Sequence, residues 1–241
     1  MKTIAIIQAR MGSTRLPGKA LIEIQGKPML WHVVNRIRRV KRVDDVVVAT
    51  TTKKADQAIV SLCKSEGWLY FRGSEEDVLD RYYRAAVYYG ADTIVRITSD
   101  CPLIEPEIVD LVIEAFLNEE ADYASNTLPP RTYPRGLDAE VFSFAALERA
   151  WKEDADPALR EHVTPYLYRH PDEFKLTRVA YEADLSYMRW TVDTGEDLTL
   201  VSKIYDCFDK VDFTWEEALE VLKKHPDWLE INKDIKQKVV P

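Results

Sequence analysis

Short β-branched runs alternate with amphipathic segments over the first 125 residues, and this alternation constrains the fold more than any other feature. Continuous apolar runs such as 46–49 are typical of parallel strands that are buried on both faces. The predicted strands are 4–7, 46–49, 68–71 and 93–97, and the predicted helices begin at Pro28 and Pro106 and cover 58–63 and 76–89. The order βαβαβαβα predicts an α/β fold, a three-layer α/β/α sandwich with a mostly parallel sheet.

The alternation ends near residue 125, where a proline-rich segment at 129–136 predicts a loop. After it we expect strands at 139–142, 174–180 and 187–192, and helices at 143–152, 158–169, 197–208 and 214–224. No linker or low-complexity tract divides the 241 residues. We therefore predict one domain over 1–241, in which 130–185 is an inserted subdomain.

The segment 8–19 follows the first predicted strand and is the strongest candidate for a binding loop. Two arginines, a lysine, two hydroxyls and two glycines lie in this one stretch: Arg10, Arg15, Lys19, Ser13, Thr14, Gly12 and Gly18. Cationic side chains and backbone N–H groups in one loop favour a polyanion. Residues 1–42 carry a net charge of +9 in a chain whose total is −8. A basic loop in an acidic protein predicts a small anionic ligand such as a triphosphate, and no nucleic acid.

Two common phosphate-binding motifs do not match this loop. Five residues separate Gly12 from Gly18, and Ala20 follows Lys19, so neither the spacing nor the hydroxyl of a P-loop is present. The chain has no Gly-x-Gly, which excludes the dinucleotide-binding fingerprint. A solvated basic turn is the remaining alternative to a ligand-binding loop.

Two aspartates, Asp100 and Asp193, each follow a predicted strand. If both strands belong to one sheet, the two carboxylates converge at the edge where open α/β sheets bind ligands. Mg²⁺ is typically held by one or two carboxylates together with substrate phosphates. The pair therefore predicts a Mg²⁺ site, and helix capping by each aspartate is the alternative.

The patterns of cysteine, histidine and apolar residues argue against three other classes of protein: disulfide-bonded, zinc-binding and membrane-spanning proteins. Three widely separated cysteines without a Cys-x-x-Cys indicate reduced thiols, and the four histidines show no metal-binding spacing. No run of 18 apolar residues or signal-peptide pattern occurs. We expect a cytoplasmic protein without a membrane segment.

Taken together, these motifs resemble the acylneuraminate and 3-deoxy-manno-octulosonate cytidylyltransferase family. The resemblance is carried by 8–19, 96–104 and 190–197, and it spans nearly the whole chain. Segments 79–82, 136–142, 161–164 and 231–233 are most similar to the branch of spore coat polysaccharide biosynthesis protein F. Two segments depart from the family pattern: Thr98-Ser99 precedes Asp100 where a Gly is common, and 72–78 matches only loosely.

The resemblance implies a nucleotide-diphospho-sugar transferase-like sandwich that dimerises through the inserted subdomain. It implies transfer of CMP from CTP to an acceptor with release of pyrophosphate, in surface polysaccharide biosynthesis, with Mg²⁺ as cofactor. The implied catalytic residues are Arg10, Lys19 and Asp100, and the metal ligands are Asp100 and Asp193. The implied nucleotide-binding residues are Ala9, Arg10, Gly12, Ser13, Arg15, Lys19, Ser74 and Asp77.

The region after residue 130 offers cations next to an aromatic side chain, which favours an anionic sugar or a related acidic acceptor. The candidate acceptor-binding residues are Arg131, Tyr133, Arg135, Glu140 and His162.

Two functions other than a cytidylyltransferase remain as alternatives. A glycosyltransferase of the same sandwich type would carry an Asp-x-Asp metal motif, and the one such motif is Asp154-Ala155-Asp156, between helices. A nucleotide-binding regulatory protein would bind CTP without releasing pyrophosphate.

Overall fold

A seven-stranded sheet forms the centre of the computed structural model, which describes residues 1–237. The strands are β1 Thr3–Gln8, β2 Glu23–Ile24, β3 Lys27–Pro28, β4 Asp45–Thr51, β5 Leu69–Gly73, β6 Thr93–Thr98, β7 Tyr123–Ser125, β8 Glu140–Ser143 and β9 Leu176–Arg178. The sheet order is β5-β4-β1-β6-β8-β7-β9, and β2 and β3 form a separate hairpin. Only β8 runs against its neighbours in the sheet, so the sheet is mostly parallel, as predicted.

Helices cover both faces of the sheet because each presents an apolar stripe to it. They are α1 Met29–Ile37, α2 Gln57–Ser65, α3 Val78–Tyr89, α4 Pro106–Asn118, α5 Phe144–Glu153, α6 Pro157–Arg160, α7 Pro165–Arg169, α8 Gly195–Tyr205 and α9 Trp215–Lys224. Helices α1, α2 and α4 bury one face of the sheet, and α3, α5 and α7 bury the other. A third apolar cluster, which contains Trp190 and Tyr205, joins α8 and α9 to the β2–β3 hairpin. The predicted three-layer sandwich is confirmed.

Two predicted elements differ from the structure, and one strand of the main sheet was not predicted. The strand at 187–192 was wrong: these residues make one isolated bridge, from Arg189 to Arg135, and otherwise run as irregular backbone. The helix at 158–169 is interrupted between α6 and α7, where Val163 has φ of 72°. The short strand β7 was not predicted, because three residues are too few for a period of two to be recognised.

The segment 130–185 contributes two strands to the main sheet. Strand β8 lies between β6 and β7, and β9 forms the edge next to β7. The remainder of the segment supplies α5, α6 and α7, which pack on the face covered by α3. Its predicted roles in acceptor binding and dimerisation stay predictions, and the predicted domain extends past the described residues at 238–241. Within 1–237, no helix has both the length and the apolarity that a membrane crossing requires.

Gly136 allows two distant loops to approach each other closely. Its φ is +106°, and a Cβ at this position would lie 2.6 Å from the backbone nitrogen of Thr191. Next to it, the Trp190 amide donates to the Arg135 carbonyl at 2.6 Å. A side chain at 136 would therefore force these two loops apart.

We predict that Gly136→Ala lowers the free energy of unfolding by about 2 kcal/mol or more, because it adds both a backbone clash and an unfavourable φ. Urea unfolding of purified protein measures this. Gly195→Ala is the matched control, since Gly195 has an ordinary φ and open space around it. Equal stability of the two variants would contradict the role given to Gly136.

Candidate active site

The loop 9–19 is folded back on itself at the carboxyl end of β1. The Met11 carbonyl accepts hydrogen bonds from the amides of Ser13 and Gly18, both at 3.0 Å. The Met11 amide donates to Asp56 Oδ1 at 2.6 Å, which fixes the loop to the segment after β4. Gly18 is left-handed, with φ of 71°, and starts the 3-10 turn that carries Lys19. The loop thus directs three cations, those of Arg10, Arg15 and Lys19, toward the end of the sheet.

Lys19 lies between the two predicted metal ligands. Its Nζ is 2.6 Å from Asp100 Oδ2, 2.8 Å from Asp193 Oδ1 and 3.1 Å from the Val192 carbonyl. The backbone brings the aspartates together, since the Val192 amide donates to the Asp100 carbonyl at 2.8 Å. Neither carboxylate caps a helix: Thr194 caps α8, and Glu105 is the residue before α4. The predicted convergence of Asp100 and Asp193 is therefore seen in the structure.

Burial and ion pairing act in opposite directions on these groups. Burial disfavours the charged ammonium of Lys19, but Asp100 and Asp193 outweigh it and raise the pKa of Lys19. Burial likewise disfavours the Asp100 carboxylate, yet Lys19 lowers the pKa of Asp100 below its usual value. Both groups are consequently charged at neutral pH.

A buried network holds Asp193 from behind. Arg189 donates to Asp193 Oδ2 at 2.8 Å and to Asp197 Oδ1 at 2.8 Å. Asp197 is fully buried and also accepts from the backbone amide of Asp193 and from Asn232. Burial opposes its ionisation, but the hydrogen bond from Arg189 and the other donors lower the pKa of Asp197. Asn232, in the predicted motif 231–233, thereby ties the C-terminal segment to the site.

The loop and the two aspartates line one cleft of about 570 Å³. Of the predicted residues, the cleft wall includes Ala9, Arg10, Gly12, Ser13, Arg15, Lys19, Asp100, Asp193, Arg135 and His162. Arg10 reaches into a neighbouring cleft of about 490 Å³, where Glu161 and Glu75 are 3.5 and 3.9 Å away. The structure therefore gathers the predicted catalytic and metal-binding residues, and six of the eight nucleotide-binding residues, at one surface.

Arg135 is the cleft arginine with the fewest partners. Within residues 1–237 its guanidinium makes no ion pair or hydrogen bond, and burial lowers the pKa of Arg135. Its loop is held by Arg131, which donates to the Tyr133 carbonyl and to the carboxylate of Asp138. His162 lines the same cleft, and burial lowers the pKa of His162, so its imidazole is neutral at pH 7.

Three arginines that belong to the site were not predicted. Arg81 and Arg96 both face the cleft, and both have a buried Nε without a hydrogen-bond partner in the described chain. Glu140 fixes Arg96 by accepting its hydrogen bond while also accepting from Tyr123 and Thr164. Arg189 is the third, and it acts through Asp193. A charged residue within an apolar strand or helix face, as at 96 and 81, is the signal that could have found them.

Five predicted residues lie outside the cleft wall. Tyr133 is buried in the third apolar cluster against Tyr181 and Trp215, because the loop turns its ring inward. Ser74 accepts from Arg81 through its carbonyl, and Asp77 caps α3 and pairs with Arg160. Glu140 and Arg131 likewise support cleft residues from behind, as described above.

The donor set at Asp100 and Asp193 fits a hard divalent cation. Two carboxylates converge on one point, and carboxylate oxygens are what Mg²⁺ prefers. In residues 1–237 no group of three or more His, Cys, Asp or Glu could hold a metal by protein ligands alone. That is compatible with a Mg²⁺ that shares its coordination with substrate phosphates.

Comparison with known proteins identifies the family. The cytidylyltransferase family model matches residues 4–238, nearly the whole chain. The chain belongs to the cytidylyltransferase family.

Individual relatives agree with this assignment. The spore coat polysaccharide biosynthesis protein SpsF of Bacillus subtilis is 35% identical over 237 residues, which cover 92% of this chain and 94% of that protein. A 3-deoxy-manno-octulosonate cytidylyltransferase of Geobacter metallireducens is 40% identical over 204 residues, 75% of this chain and 80% of the relative. A cytidylyltransferase structure from Leptospira borgpetersenii is 35% identical, with a TM-score of 0.91 and coverage of 99% and 100%. The predicted resemblance and fold class are confirmed.

We predict that Asp197→Asn destabilises the protein by about 3 kcal/mol at pH 7, because it removes one of the two carboxylates that pair with buried Arg189. The pKa of Asp197 is lower in the folded protein than its ordinary value of 3.8, so its ionised form stabilises the fold above that pH. The stability difference from the unsubstituted protein should stay constant down to about pH 4 and narrow below it.

Urea unfolding between pH 3 and pH 7 tests this. Asp206→Asn, at the exposed end of the same helix, is the control and should change stability by less than about 0.5 kcal/mol. A difference that does not narrow in acid would show that Asp197 acts by packing and not by its charge.

Proposed function

We propose that this protein transfers CMP from CTP to an anionic sugar or a related acidic acceptor and releases pyrophosphate, with Mg²⁺ as cofactor. The observation that supports it most directly is Lys19 between Asp100 and Asp193, on a loop that also carries Arg10 and Arg15. The arrangement joins a phosphate-binding cation set to two carboxylates in one cleft, and the family assignment is compatible with it.

In this reaction an acceptor oxygen attacks the α-phosphorus of CTP, the new O–P bond forms, and the bond to pyrophosphate breaks. Arg10, Arg15 and Lys19 bind the β- and γ-phosphates and stabilise the charge on the leaving pyrophosphate. Asp100 and Asp193 would hold Mg²⁺, which would supply positive charge at the α-phosphate and lower the pKa of the acceptor hydroxyl. No covalent enzyme intermediate is required.

In this proposal the acceptor binds at the part of the cleft that the loop 9–19 does not line. Arg135 presents an uncommitted guanidinium there, and Arg96 and neutral His162 face the same space. An arginine fork matches the geometry of a carboxylate or phosphate. These groups favour an acidic acceptor over a neutral sugar.

The glycosyltransferase alternative has less structural support. Asp154 ends α5 and Asp156 caps α6, so the Asp-x-Asp motif serves the helix connection. Neither aspartate lines the cleft. A nucleotide-binding regulatory protein would bind CTP without releasing pyrophosphate. An assay of pyrophosphate release therefore distinguishes this alternative from the proposed enzyme.

We predict Mg²⁺-dependent pyrophosphate release with CTP and an acidic sugar acceptor, and less pyrophosphate release with the other three nucleoside triphosphates.

We predict that Asp100→Asn lowers kcat about a hundredfold or more, because it removes charge that the transition state requires. Asp209→Asn replaces an exposed aspartate that does not line the cleft, and it is the control. Near-normal turnover in Asp100→Asn would reject this residue as a metal ligand.

We predict that Arg135→Gln raises KM for the acceptor about tenfold or more and changes KM for CTP less than twofold, because the lost contact is a charge-assisted hydrogen bond. Initial rates with each substrate varied in turn measure both constants. Arg38→Gln removes an exposed arginine from the end of α1 and serves as control. An equal rise in both KM values would place Arg135 at the nucleotide instead.

A further inference from the structure

The charges around Lys19 are balanced without any added ion. Three carboxylates and three cations form one contiguous set, joined by ion pairs of 2.6 to 2.8 Å: Asp100, Asp193, Asp197, Lys19, Arg15 and Arg189. The Lys19 ammonium contacts an oxygen of both Asp100 and Asp193, the position that a cation bridging the two carboxylates requires. A divalent cation and the ammonium cannot both occupy it.

We propose that Lys19 is an internal competitor of the divalent cation, so that the metal binds Asp100 and Asp193 well only when a triphosphate draws the lysine away. The inference rests on the proposed function and adds a specific energetic role for one residue. Lys19 is suited to this role because a lysine stem is flexible and its ammonium is a compact point charge. Its position on the 3-10 turn directly after Gly18 keeps it next to the loop that binds the phosphates.

Two consequences follow for binding. A metal ion alone meets a site whose carboxylates are already neutralised, so it binds weakly. A triphosphate alone removes Lys19 from two neighbouring carboxylates and leaves them to repel each other. Nucleotide and metal therefore assist each other's binding, and by linkage each raises the affinity of the other by the same factor.

The experiment uses Mn²⁺ as the probe, with free Mn²⁺ measured by electron paramagnetic resonance in the presence and absence of CTP. We expect Lys19→Met and Lys19→Gln to bind Mn²⁺ alone about tenfold tighter or more than the unsubstituted protein does, a typical size for coupling between sites. The same variants should gain less Mn²⁺ affinity from CTP than the unsubstituted protein does, because only the direct ligation of Mn²⁺ by the phosphates remains. Thermal melts establish that each variant is folded.

Lys53→Met is the matched control. Lys53 is an exposed lysine beside the cleft that pairs with Glu75 and does not contact either aspartate. Its substitution removes the same charge and should change Mn²⁺ affinity less than twofold. Equal tightening in all variants would indicate a general charge effect and would overturn the proposal.

Unchanged or weaker Mn²⁺ binding in the Lys19 variants would also overturn it. If neither Lys19 variant folds, the unsubstituted protein still tests the proposal. Equal Mn²⁺ affinity with and without CTP would exclude coupling between nucleotide binding and metal binding. Binding of Mn²⁺ alone is measured without nucleotide. It can therefore refute the competition by Lys19 even if the protein releases pyrophosphate from CTP. Conversely, absence of CTP turnover would refute the proposed function and leave the lysine competition intact.

Discussion

A single backbone contact, from the Val192 amide to the Asp100 carbonyl at 2.8 Å, sets the distance on which the rest of the site depends. It joins the end of β6 to a segment more than 90 residues later and brings two carboxylates close together. Two carboxylates about 4 Å apart repel by about 4 kcal/mol at an effective dielectric constant of 20. Lys19 and Arg15 in front, and Arg189 behind, offset that repulsion. The loop, the aspartates and the C-terminal segment thus form one electrostatic unit.

The same cleft contains groups that the fold leaves partly unsatisfied. Arg81 and Arg96 each have a buried Nε without a partner in the described chain, and Arg135 makes no ion pair there. An unsatisfied buried donor costs about 1 to 3 kcal/mol, so such groups are rare away from functional sites. Three arginines in one cleft therefore indicate a surface arranged for an anion that binds from outside. This separates them from Arg189, whose donors all serve neighbouring protein groups.

The parts of the site that could be predicted are those with a local signal. The parallel half of the sheet follows from apolar runs, and the loop 8–19 and both aspartates follow from polar residues placed directly after strands. Tyr133 and the segment 187–192 were mispredicted because their environment is set by distant residues. Tyr133 is drawn into an apolar cluster with Trp215, and 187–192 is held by Gly136 and Asn232 instead of by a strand neighbour. Arg81 and Arg96 were missed because their burial depends on helix and sheet packing that one sequence does not reveal.

In the proposed reaction the two substrates contact different parts of the fold. The cations proposed to bind phosphate come from one loop after β1, whereas Arg135 and His162, proposed to face the acceptor, come from the segment 130–185. Arg96 links the two, since it stands on β6 and is fixed by Glu140 on β8. In the described chain, no hydrogen bond joins the side chain of Arg135 or His162 to Lys19, Asp100 or Asp193. Substitutions at 135 or 162 can therefore change the proposed acceptor surface without moving the other three residues. Substitution of Glu140 has a different effect, because it leaves the largely buried Arg96 without its carboxylate and so disturbs β6, the strand that precedes Asp100.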